Sequence, residues 1–94
     1  QTKKTGVRYF IGCDLSEGVG QDYSVCEVFN QDGIQVAEFY NNKIKPYEMA
    51  EIINVLGHYY NKALLNVERA SGGNSVIERL RYNFKYMNMY NIIK

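Results

Sequence analysis

The sequence contains no tryptophan, one proline (Pro46), one histidine (His58) and two cysteines. It also lacks an imbalance of charge: eleven basic against ten acidic side chains leave a net +1. Near-neutrality removes any compositional reason to expect a nucleic-acid or membrane surface as partner, so DNA would have to be met by a local patch or through metal ions. The opening stretch "QTKKTGVRYF" has no apolar run of signal-peptide or membrane-spanning length, and the expectation is neither secretion nor insertion. Cys13 and Cys26 each sit inside an apolar, strand-like run. Small buried thiols in a reducing cytoplasm fit that placement better than a disulfide framework does.

What is present is ordinary globular material: 94 residues, 46% hydrophobic and 14% aromatic. That length suits one small domain over 1–94, or a piece of a longer one. Val7 to Cys13 reads as a central strand covered on both faces, bounded by Gly6. Tyr23 to Phe29 reads as a second strand, "NQDG" at Asn30 to Gly33 as a tight turn, and the alternating Ile34 to Tyr40 as a third. Pro46 suits the first turn of a helix, and Met49, Ile52, Ile53, Leu56, Tyr59 and Tyr60 recur at helical spacing, with an end expected near Asn61. "ALLNVE", Ala63 to Glu68, reads as a fourth strand. A second helix is expected from about Ser75, where Ser75 and Glu78 have capping-box spacing, and "YMNMYNII" is read as the start of a fifth strand.

This order implies a mixed sheet. Short loops make the second strand antiparallel to the first and the third parallel to it, whereas a helical crossover delivers the fourth strand parallel to the first. The free side of the first strand is then the natural place for the fourth. Asp14 closes the first strand and Glu68 the fourth. Parallel neighbours about 4.8 Å apart would bring the two carboxylates to one rim. Asp22, at the start of the second strand, belongs to the same end. Gathered carboxylates repel unless cations lie between them. Oxygen donors without a histidine or cysteine on matching spacing favour Mg2+ or Mn2+ over zinc. A pair of such ions serves in-line displacement at phosphate, so phosphodiester hydrolysis is the chemistry these residues suggest.

Two stretches, "YFIGCDLSEGVGQDYSVCEVF" and "AEFYNNKIKPYEMAEIINVLGHYYNKALLNVERASGGNSVIERLR", resemble the C-terminal nuclease domain of the large terminase subunit of tailed phages. The resemblance covers nearly the whole chain. It implies an RNase H-like α/β fold in which Asp14 and Glu68 are catalytic, and Asp14, Glu68 and Asp22 bind metal, with Mg2+ or Mn2+ in a two-ion site. It further implies endonucleolytic cutting of double-stranded concatemeric DNA during genome packaging, in the cytoplasm of a bacterial host, with a small terminase subunit and a portal protein as partners and no membrane. Two features depart from the pattern. No aspartate follows Asp32, so the third metal-binding acid of the family has no counterpart, and no Walker A pattern is present. A fragment that binds metal poorly and cuts weakly, or not at all, is the expectation.

Other readings accompany these residues. Asp22 could equally cap the glycine-rich loop, and Glu17 reads as solvated loop. "EGVGQD" could cradle a phosphate, but without Gly-Lys-Ser or Gly-Lys-Thr it reads as a turn. Arg69, Arg79, Arg81 and Lys85, on or near the second helix, could touch backbone phosphate or form a solvated helix face. His58 falls beside the apolar stripe and reads as a surface side chain. Tyr9, Tyr23, Tyr40, Tyr59 and Tyr60 read as packing rather than as base-stacking residues. Rival functions are an ATP-binding hairpin of the sugar-kinase or actin-like type, a Holliday-junction resolvase, and a non-catalytic interaction module on the same fold.

Overall fold

The computed structural model describes residues 3–15, 24–68 and 73–93. Four strands, β1 (Tyr9–Asp14), β2 (Ser24–Asn30), β3 (Gln35–Asn41) and β4 (Leu64–Val67), form one sheet in the order β3-β2-β1-β4. β1 pairs antiparallel with β2, β2 antiparallel with β3, and β1 parallel with β4. The mixed topology expected from the element order is the one observed. Between β3 and β4 runs α1 (Pro46–Tyr59); β4 is followed by α2 (Gly73–Glu78), a π-helical turn over Arg79–Asn83, and a short α3 (Tyr90–Ile93).

The local causes are visible. The Asn30 side chain accepts from the backbone N–H groups of Asp32 and Ile34 at 2.9 and 3.0 Å, and Gly33 takes φ of 80°, closing the β2–β3 hairpin in a conformation that L side chains resist. Before α1, the Asn41 side chain accepts from Lys43 and Ile44 N–H and shapes the approach, and the Glu48 carboxylate accepts from the N-cap Lys45 N–H at 3.3 Å, a group that the helix itself leaves bare. The other end of α1 turns back through Asn61 and Lys62, both left-handed at φ near 59° and 58°. The Asn61 amide then donates to Lys4 and Val7 carbonyls at 2.9 Å, fastening the segment that enters β1.

The core lies on one face of the sheet. Ile11, Cys13, Cys26, Val28, Leu65 and Val67 are buried with Met49, Ala50 and Ile53 of α1, Val76, Ile77 and Leu80 of the second helical segment, and Tyr86 and Met89. β1 therefore alternates strictly, with Tyr9, Ile11 and Cys13 inside. Among the described residues its other face is open, contrary to the expectation of a strand covered on both sides: Phe10 remains 37% exposed. Hydrophobic content alone does not separate a doubly covered strand from one whose second face carries Phe10, Gly12 and Asp14.

Two further expectations change. "YMNMYNII" does not start a fifth strand: Met89 makes a single parallel bridge to Leu65, and the chain then turns into α3. The buried anchors Tyr86 and Met89 take the place of a ladder, with Leu65 N–H donating to Asn88 C=O at 3.0 Å. Of the tyrosines, Tyr9 and Tyr60 are core as read and meet edge to face at 5.1 Å, but Tyr40 and Tyr59 are 61% and 46% exposed. Tyr23 lies outside the described residues.

Candidate functional site

The register places the acids. Gly12 stands between Glu27 on β2 and Asn66 on β4, and Cys13 between Cys26 and Val67. One residue further, Glu68 N–H donates to Cys13 C=O at 3.0 Å, extending the parallel ladder past the end of β4 and setting Glu68 beside Asp14. Side chains on one sheet face recur every second residue, so Asp14, Glu27, Asn66 and Glu68 all project from the open face. They line a single open pocket of about 380 Å³ with Gly12, Cys13 and Val25. Among the described residues nothing stands within 4 Å of where a Cβ on Gly12 would be, so the absent side chain at that position opens the floor between β2 and β4.

Asp14 and Glu68 are thus brought together as expected, both exposed at the carboxyl end of the two parallel strands. Asp22 and Arg69 lie outside the described residues, as does the whole loop "EGVGQD". Arg79, Arg81 and Lys85 do not line the pocket. The Arg79 guanidinium lies over the Tyr47 ring at 4.4 Å and the Phe84 ring at 5.1 Å, and its Nη1 donates to Tyr47 C=O at 3.0 Å, so it ties the π-helical turn to the start of α1. Arg81, 5.2 Å from the Tyr82 ring, and Lys85 are exposed. His58 is a surface side chain on α1, its Nδ1 within 2.9 Å of Asn54 C=O and its ring edge-on to Tyr86.

Two residues at the pocket were not singled out from sequence. Glu27 sits mid-strand in "YSVCEVF", where its position looks like the polar face of an ordinary half-buried strand; only pairing with Gly12 aims it at the acids. Asn66 interrupts "ALLNVE" and occupies the matching place on β4. An alternation pattern could have marked both as open-face residues, but not as neighbours of Asp14.

The donor set fits a hard divalent cation. Among the described residues it consists of carboxylates and one side-chain amide, with no basic side chain in the lining. Among the described residues no three His, Cys, Asp or Glu side chains converge closely enough to hold one ion by themselves. Asp14 and Glu68 are the two described carboxylates that the strand register sets side by side. The adjacent thiols play another part: Cys13 and Cys26 are buried and hydrogen-bonded to each other, which together with burial pushes the Cys13 thiol up and keeps it in the neutral form.

Residues 11–92 match the family model of the terminase RNaseH-like domain. The chain belongs to that family. Among solved structures it is similar to the large terminase nuclease of the thermophilic phage G20c with bound magnesium, at 22% identity and a TM-score of 0.78, over 100% of this chain and 49% of that one. A second structure of the G20c large terminase nuclease matches at 22% identity and a TM-score of 0.76, over 95% and 46% of the respective chains. The chain thus spans about half the length of these relatives. No curated protein matches. At this identity the likeness speaks for the fold, a terminase RNase H-like sheet with β4 parallel to β1, and the ATP-binding alternative is not favoured.

Proposed function

We propose that the chain is a single RNase H-like unit of a phage terminase large subunit that cuts double-stranded DNA during genome packaging, using Mg2+ or Mn2+ held by Asp14 and Glu68. The observation that carries this reading is the ladder bond from Glu68 N–H to Cys13 C=O, which stands the two strand-ending acids side by side at an open rim. The G20c nuclease was solved with magnesium, which supports the choice of a hard divalent ion for this family member too. When bound, such an ion would supply Lewis-acid stabilisation of charge on a scissile phosphate. The chain's own contribution is rigid placement: Asp14 and Glu68 each follow a buried residue, Cys13 and Val67, so their backbones are held by the core while their carboxylates face solvent. Asp22 is proposed as a further ligand or cap at the same end. Arg81 and Lys85, and Arg69 next to Glu68 in the chain, are proposed contacts to backbone phosphate, with Arg79 contributing chiefly through its hold on Tyr47. A host-cell cytoplasmic setting, with a small terminase subunit and a portal protein as partners, goes with this role. No helix among the described residues is long and apolar enough to cross a membrane.

The test is Mn2+ titration by electron paramagnetic resonance alongside nicking of supercoiled plasmid. Weak but saturable Mn2+ binding and slow nicking are expected, both lost in Asp14→Asn and in Glu68→Gln while the melting temperature is retained. Binding and nicking that survive either substitution would overturn the assignment.

A further inference from the structure

We propose that Glu27 is a positioning residue of this metal centre, accepting hydrogen bonds from the hydration shell of the cation held by Asp14 and Glu68. The inference rests on the reading of that pair as the ion's ligands.

Glu27 is directly opposite Gly12, and Asp14 is two residues further along β1 on the same face. Diagonal neighbours of this kind have backbones roughly 7–8 Å apart, within reach of a glutamate side chain. Position 12 has no side chain, and among the described residues nothing comes within 4 Å of where one would begin, so no side chain at that position stands between Glu27 and the acidic rim. All three carboxylates line the same pocket. The three do not close on one another tightly enough to hold an ion directly. A role through water follows: Mg2+ keeps several of its waters when one or two carboxylates bind it, and those waters need acceptors.

The setting of Glu27 is otherwise unfavourable. Its partner on the far side is Glu38, directly opposite on β3, and like charges facing across strands destabilise a sheet. Among the described residues no basic side chain lines the pocket to offset the pair. A glutamine at position 27 would avoid that repulsion, whereas a bound cation gives the charge a use. Glu38 provides the internal control, since it carries the same charge on the same face one strand further from the rim.

The experiment uses the whole chain and Mn2+ alone, with free Mn2+ followed by electron paramagnetic resonance and the metal-free proteins followed by thermal melting. Glu27→Gln is expected to weaken Mn2+ binding about tenfold, the order typical of losing an outer hydrogen-bond partner, with an unchanged or slightly higher melting temperature. Glu27→Asp keeps the charge but withdraws the carboxylate by one methylene, and should weaken binding as well. Glu38→Gln should change affinity by less than about twofold, because exposed charges further from the ion are screened. Wild-type affinity in Glu27→Gln or Glu27→Asp, or an equal loss in Glu38→Gln, would overturn the proposal and leave Asp14 and Glu68 as they are. Mn2+ binding that persists in Asp14→Asn, or no saturable binding by the wild type, would overturn the parent reading instead.

Discussion

At the residue scale, Tyr86 and Gly57 show how tightly the helical layer is fitted to the sheet. Tyr86 is fully buried, its hydroxyl donates to Ala63 C=O at 2.5 Å, and its ring lies against Gly57 on α1. A Cβ at position 57 would stand 2.7 Å from ring carbons Cε2 and Cζ of this fully buried ring. Gly57→Ala gains up to about 1 kcal/mol of helix propensity. It loses about 1–3 kcal/mol to overpacking, and about 1 kcal/mol more as the hydroxyl is pulled from its acceptor. A net loss is expected, read as a lower midpoint in urea unfolding, with Gly57→Ala/Tyr86→Phe recovering part of it. From sequence, Gly57 is one more position in an amphipathic helix. The reason for glycine there is a side chain 29 positions away, and no local pattern encodes that.

At the scale of elements, β4 is the informative one. Its four residues, Leu64–Val67, are few for an edge strand that must hold Glu68 in place. The outer side of its end is closed by a side chain: Asn91 of α3 accepts from Val67 N–H at 3.1 Å and donates to Val67 C=O at 3.0 Å, as a neighbouring strand would. Losing both bonds in Asn91→Ala should cost about 1–3 kcal/mol, since each typical net contribution is about 0.5–1.5 kcal/mol. Hydrogen exchange at the Val67 amide should rise correspondingly, and Mn2+ affinity should fall because Glu68 follows directly. The four strands, α1 and the place of α2 were legible from periodicity and turn chemistry, which are local. The expected fifth strand was not what forms. "YMNMYNII" has the composition of a strand, but its Tyr86 and Met89 are spent on the core and its Asn91 on the β4 edge, so tertiary contacts overrode the pattern.

At the scale of the whole molecule, the sheet has one face packed by helices and one face, among the described residues, divided between an acidic end at Asp14, Glu27 and Glu68 and an apolar depression lined by Phe10, Phe29, Leu64 and Tyr90. Stability of the packed side should depend on alkaline pH. Burial pushes the Tyr86 hydroxyl well up, and burial with neighbouring Tyr59 and Tyr9 raises Tyr60. Above about pH 10, where unfolded tyrosines ionise, the unfolded chain holds fewer protons than the folded one, so the stability these groups contribute below that value is lost as pH rises. Urea midpoints measured from pH 8 to 11 should fall, and the fall should be shallower in Tyr86→Phe. Taken alone, the order of apolar runs, turns and one crossover helix determined the mixed sheet and its strand order, because short loops and right-handed crossovers leave few alternatives. It also determined that Asp14 and Glu68 end parallel strands. Only the folded chain decided that Glu27 and Asn66 join them across Gly12, that Arg79 is taken up by Tyr47 and Phe84, and that one face of the sheet, among the described residues, stays open. Those outcomes depend on cross-strand register and on contacts between residues far apart in the chain, which the spacing along one element does not carry.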